Sequence, residues 1–190
     1  MIHHAMAYVV SAINDYLNLR SPSLSTERIV SGSLFDLDGN VNAQTRDKVA
    51  LSVVNVEEDR VYRSVEIFQR QPDGKSLLVK PEVKVNLYVL FVANLAKYDE
   101  ALKALGHIIG FFQSRNSFDY AAIPALAGRE GRVVFELFSM SFEQQNHLWG
   151  ALGAKYVPSI MYKAGIVDVR DEQVQGEVPP VEEVLVNEES

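Results

Sequence analysis

The chain has 190 residues, 47% of them hydrophobic, a formal net charge of −7 and no cysteine. That length suits one ordinary domain, since a chain of this size buries about two thirds of its unfolded surface. The acidic balance opposes a nucleic-acid binder built to neutralise phosphates, and the lack of cysteine removes disulfides, thiolate nucleophiles and cysteine-ligated zinc or iron–sulfur centres.

The first residues, MIHHAMAYVVSAINDYLNLR, lack the basic start and unbroken apolar core of a secretory signal. Within them Ile2, Met6, Val9, Val10, Ile13 and Leu17 recur three or four apart, which predicts an amphipathic helix over 2–19. RSPSLS ends it, because Pro22 biases Ser21 away from helical angles. From Arg28 to Arg70 the pattern alternates, most clearly in DKVALSVVNVEE and RVYRSVEIFQR, and predicts strands separated by turns at EEDR and QPDGK. PEVKVNLYVLFVANL is nearly continuous in apolar character and predicts a central strand buried on both faces.

A second helix is predicted over KYDEALKALGHIIGFFQSR, with Tyr98, Leu102, Leu105, Ile109 and Phe112 on its apolar face and Asp99 and Glu100 near its start. FDYAAIPALAGREG reads as irregular and RVVFELFSM as a strand. Residues 141–152 read as a short third helix ending near Gly153, and KYVPSIMYKAGIVDVR as a last strand with Pro158 near its start. This order predicts an α+β fold, a mostly antiparallel sheet flanked by helices. Residues 1–170 are assigned to that domain and the acidic 171–190, which contain VPPVEEVLV, to a C-terminal arm. No apolar run approaches the roughly 20 residues of a membrane-spanning helix. A soluble product made in the cytoplasm, without direct membrane insertion, is expected.

LFDLDGNV resembles the nucleophile motif of haloacid dehalogenase-type magnesium phosphatases, with Asp36 as attacking carboxylate and Asp38 as proton handler. Asn40 departs from that motif and its later lysine and paired aspartates are not recognisable, so a turn bent by Asp-Gly and Gly-Asn is the simpler reading. As a calcium loop the stretch fails, with Val41 where the sharp turn needs glycine and Asp47 where a bidentate glutamate belongs. His3, His4, His107 and His147 lack metal-ligand spacing. No G-x-S-x-G elbow or phosphate-binding loop occurs, and Glu57, Glu58 and Asp59 beside Arg60 and Arg63 read as a charged hairpin turn. No catalytic residue, metal site or cofactor is expected.

Four segments taken in order, VALSVVNVEEDRVYRS (49–64), PEVKVNLYVLFVANLAKYDEALKALGHIIGFFQ (81–113), VVFELFSMSFEQQNHLW (133–149) and LGAKYVPSIMYKAGIV (152–167), together resemble the N-terminal domain of the cap, or terminator, protein of contractile injection systems, which are phage-tail-like particles. The combination carries the likeness: Asn55-Val-Glu-Glu, the run from Asn86 to Phe91, Phe111-Phe-Gln, and Leu148-Trp followed by Pro158-Ser and Tyr162-Lys, with Ser64 a departure from the expected asparagine. The resemblance implies a fold similar to phage tail-terminator proteins and a structural, non-enzymatic role. It further implies a ring, hexameric in the family, that closes the inner tube and the contractile sheath and becomes part of the assembled particle. The partners are then the chain itself, the tube protein and the sheath protein. The alternatives are the phosphatase and a free-standing adaptor domain.

On this reading Trp149, the single tryptophan, anchors the third helix on the sheet with its indole N–H reaching a polar group. Alternatively it is an aromatic anchor at a ring or tube contact. Gln144 and Gln145 are candidate interface residues beside it. Val181, Val184, Leu185 and Val186 are candidates in the arm, which would add a strand to a sheath subunit.

Overall fold

The structure, a computed structural model, describes residues 1–20, 28–36, 38–59, 68–70, 76–78, 83–169 and 177–178. In chain order the elements are α1 (Ile2–Arg20), β1 (Ile29–Ser31), β2 (Lys48–Glu58), β3 (Phe68–Arg70), β4 (Ser76–Leu78) and β5 (Val83–Asn94). There follow α2 (Tyr98–Ser114), β6 (Ser117–Asp119), β7 (Arg132–Phe138), α3 (Phe142–Ala151), β8 (Ser159–Val169) and β9 (Glu177–Val178). Of the predicted features, the turn at 21–25, the segment 60–67, the QPDGK turn and the arm residues Val181, Val184, Leu185 and Val186 lie outside the described residues.

Six strands form the main sheet in the order β1-β2-β5-β8-β7-β6. Only β1 and β2 run parallel; the other four neighbouring pairs are antiparallel. The predicted α+β class therefore holds. β5 lies inside the sheet because its alternate residues are apolar on both sides: Leu87, Val89, Phe91 and Ala93 join one core, and Leu90 and Val92 the other. Such a strand needs cover on both faces. Helices α1 and α2 supply it on the first face and α3 on the second. A small sheet, β3-β4-β9, repeats the order β2-β5-β8 of the strands its segments follow or precede in the chain.

Helix α1 buries Met6, Val9, Ile13 and Leu17 of the predicted stripe, together with Ala5, while Ile2 and Val10 are partly buried beside them. Helix α2 turns differently from expectation. Its buried residues are Ala101, Ala104, Leu105, Ile108, Phe111 and Phe112, while Tyr98 and Leu102 are 65% and 47% exposed. Two alanines on the inner face let the helix lie close to the sheet and bring consecutive phenylalanines into the core. Phe112 stacks on Phe135 at 4.8 Å and lies 4.4 Å from the Tyr162 ring; Phe111 packs on Phe118 at 6.1 Å. The 118–131 stretch, expected to be irregular, begins with the end of β6 and holds two 3-10 turns, Tyr120–Ala122 and Pro124–Leu126, which press Tyr120, Ile123 and Leu126 into the same core.

β1 is held by a side chain. The Asn14 amide nitrogen donates to the Ile29 carbonyl at 2.9 Å, and its oxygen accepts from the N–H groups of Arg28 and Ile29 at 3.1 and 3.0 Å. Asn14 thereby offers Ile29 the donor and acceptor that a further strand would offer. Asn14→Ala leaves three partly buried backbone groups unpaired, and each such loss costs about 1 kcal/mol or more. We expect it to lower unfolding stability by about 2–4 kcal/mol, read as a lower urea midpoint with unchanged slope.

Candidate functional site

The second face of the sheet carries the features that the sequence singled out. Ser141 caps α3: its hydroxyl accepts from the Gln144 N–H at 3.2 Å, while its own N–H donates to Gln144 Oε1 at 2.9 Å. This reciprocal pair satisfies donors that a helix start leaves open, so the Gln144 side chain is engaged within its own helix. Gln145 is half-buried. At the other end Gly153 takes φ 64°, the left-handed region glycine tolerates, and the Ala154 N–H reaches back to the Trp149 carbonyl at 3.1 Å.

Trp149 is 4% exposed and packs with Leu34, Ala50, Leu90, Val92 and Met161, its ring edge-on to Tyr156 at 5.7 Å. It pins α3 to β2, β5 and β8. The expected polar partner for its N–H is not found: Nε1 is buried and meets no acceptor among the described residues. Burial of the large ring outweighs the unmade hydrogen bond at this position. Ser159 Oγ, on β8, is likewise buried without a partner among the described residues.

Asp36 and Asp38 form a turn. Phe35 and Val41 bridge antiparallel around it, Asp36 Oδ1 accepts from the N–H groups of Asp38 and Asn40 at 3.0 and 2.8 Å, and Gly39 takes φ 81°. Both aspartates are exposed. An oxygen committed to two turn donors suits Asx-turn geometry and gives the phosphatase reading no support. No group of three or more metal-ligating side chains occurs among the described residues, and no described helix is long and apolar enough to cross a membrane. The Tyr88 hydroxyl donates to Glu57 Oε2 at 2.8 Å, and that bond, followed by burial, holds the phenol pKa above its usual value.

An open groove of about 1090 Å³ lies at the β1–β2 side, between the first turns of α1 and the end of α3. Ile2, Met6, Leu34, Leu51, Val53 and Leu152 give it an apolar lining. It was not legible in the sequence, because its walls come from separated parts of the chain.

A family model described as the Pvc16 N-terminal domain matches residues 8–183. The chain belongs to the Pvc16 N-terminal domain family. No curated protein matches it. Among solved structures, the chain is similar to the PVC sheath/tube terminator of an extracellular contractile injection system in its extended state, with 18% identity and a TM-score of 0.54 over 94% of this chain. It is also similar to the anti-feeding prophage cap, a tube-terminating cap, with 15% identity and a TM-score of 0.57 over 94% of this chain. At those identities the likeness is one of fold. The chain spans 62% and 60% of the length of those two chains.

Two substitutions test the site. Trp149→Phe removes an N–H that has no acceptor and is expected to cost less than about 1.5 kcal/mol, whereas Trp149→Ala is expected to cost about 3–5 kcal/mol in chemical denaturation. Asp36→Asn retains the turn-accepting oxygen and is expected to leave the urea midpoint nearly unchanged, whereas Asp36→Ala lowers stability by about 1 kcal/mol.

Proposed function

We propose that this protein is a structural subunit of the cap that closes the tube and sheath of a contractile injection particle and ends their growth. The observation that carries the reading is the family match over residues 8–183. The fold shared with a sheath/tube terminator and a tube-terminating cap supports it. A cap works by shape. It presents one surface to the last layer of tube and sheath and offers no equivalent surface to a further layer, so addition stops without a bond being made or broken.

In this reading the partners are the tube protein, the sheath protein and further copies of the chain in a closed ring, hexameric as in the family resemblance. Closed symmetry gives a finite assembly. Residues 1–170 form the cap domain, synthesised in the cytoplasm, and residues 171–190 an arm toward the sheath. Pairing of β9 with β4 through Ser76↔Val178 and Leu77↔Glu177 supports a defined departure point for that arm. Val181, Val184, Leu185 and Val186 are then the residues that meet the sheath, by adding main-chain hydrogen bonds to an exposed edge.

Deleting the gene and imaging the particles by electron microscopy tests the reading. Tubes and sheaths of scattered length with open ends are expected; particles of uniform length with closed ends would refute it. Truncation after Val178, which keeps β9 and removes Val181, Val184, Leu185 and Val186, tests the sheath-meeting part of the arm: tube closure is expected to be retained and sheath docking lost, and normal sheath docking would refute that role.

A further inference from the structure

Strand β2 is longer than its outer neighbour. β1 pairs with it only from Val49 to Leu51. The last main-chain bond between them runs from the Gly32 N–H to the Leu51 carbonyl at 3.0 Å, and the Ser52 hydroxyl donates to the Gly32 carbonyl where β1 leaves. β2 continues to Glu58, paired on its inner side with β5 and interrupted by one bulge between Val53 and Asn55.

Beyond β1 the backbone of β2 faces outward at defined residues. The Ala93 N–H donates to the Pro158 carbonyl, so the odd-numbered residues of β5 turn their main chain toward β8. Val53 and Val56 stand opposite Val89 and Leu87, and so turn their own N–H and C=O groups away from β5. Among the described residues no strand meets them. The stretch 51–58 has neither proline nor lysine to guard the edge, and Val53 and Val56 are 38% and 54% exposed. After the bulge, pairing with β5 is regular from Asn55 to Glu58.

The apolar groove straddles this edge. Ile2 and Met6 pack with the core under α1 and α2, Leu34 and Leu152 with the core under α3, and all four line the groove together with Val53. An extended segment laid beside β2 points successive side chains to opposite faces, so each set finds an apolar wall. The charge is one-sided. Among the described lining residues Asp36 is the one carboxylate and none is lysine or arginine. Exposed Glu57 and Glu58 follow along β2, with the Glu57 carboxylate held by the Tyr88 hydroxyl at 2.8 Å. The chain's own arm is a poor match, since residues 171–190 carry seven aspartates and glutamates and no lysine or arginine, and like charges opposite one another on paired strands repel.

We propose that the outer edge of β2 from Val53 to Glu58 accepts a strand from another protein. The strand is an extended segment of about six residues, β-branched and apolar at alternate positions, with lysine or arginine at the end that lies against Glu57 and Glu58. Main-chain bonds to Val53 and Val56 hold it, the two walls of the groove select its apolar side chains, and the carboxylates select its basic end. This goes beyond the cap reading and does not depend on it.

Synthetic peptides added to the full chain test the site. Labelled Lys-Lys-Val-Thr-Val-Thr-Val and the same sequence reversed bring lysines to Glu57 and Glu58 in antiparallel and parallel pairing respectively. At least one is expected to bind about 10-fold or more tightly than its counterpart with glutamate for lysine, and the difference is expected to shrink in high salt. Binding is expected to slow hydrogen exchange at the Val53 and Val56 amides about 10-fold or more. Val56→Pro removes an outward N–H at an edge that tolerates proline and is expected to weaken binding about 10-fold or more. Val56→Lys keeps that N–H, places a repelling charge on the edge and is expected to weaken the lysine peptides with an unchanged unfolding midpoint, which keeps the test valid if proline alters folding. Equal binding of lysine and glutamate peptides, protection at amides outside β2, or no binding of either lysine peptide at millimolar concentration would overturn the site. Val53 and Val56 amides protected in the free chain and released by truncation after Val178 would overturn it in favour of the chain's own arm. Protection that grows with protein concentration would overturn it in favour of a second copy.

Discussion

Burial of β5 on both sides is the constraint from which the arrangement follows. A strand with Leu87, Val89, Phe91 and Ala93 on one face and Leu90 and Val92 on the other has no face to give to water. It must sit inside a sheet, with strands beside it and helices above and below. The division of labour between helices comes from that requirement. α1 and α2 share the larger face with its aromatic stack, and α3 alone covers the smaller one, held there by Trp149. Because α3 is short, it begins near β7 and ends at the β2 side, leaving an exposed phenylalanine at one end and a recess at the other.

Elements with enough residues to repeat a pattern were legible in the sequence. The stripe of α1, the two-sided run of β5 and the glycine after α3 each state a local preference that the fold agrees with. β1 falls inside the alternating 28–70 stretch without a signal of its own, and β6 is not foreseen, since three residues cannot show a period. β1 takes its place from Asn14, fourteen and fifteen positions away from its partners. The inner face of α2 differs from the expected one for a similar reason: Tyr98 and Leu102 fit the apolar period, whereas closeness of approach to the sheet favours Ala101 and Ala104.

The site divides in the same way. Trp149 as the anchor of α3 was readable from its place in a helix-like run, yet the fate of its N–H depends on β8 and the loop before it. Asp36 and Asp38 looked like chemistry because their spacing is shared by a phosphatase motif and by a tight turn. Two backbone donors on Asp36 Oδ1 decide between them. The groove has no signature in any single segment, since Met6, Val53 and Leu152 meet only after folding.

The Asn14 amide also governs how the molecule meets its neighbours. A bare outer strand invites backbone-to-backbone annealing with any extended chain, which is the usual start of uncontrolled sheet growth. With the Ile29 main chain already answered from within, recognition on that side passes to side-chain shape, which can discriminate between visitors where a peptide ladder cannot. The least selective way of extending the sheet, main-chain annealing, is thus closed at Ile29 by a side chain of the same molecule.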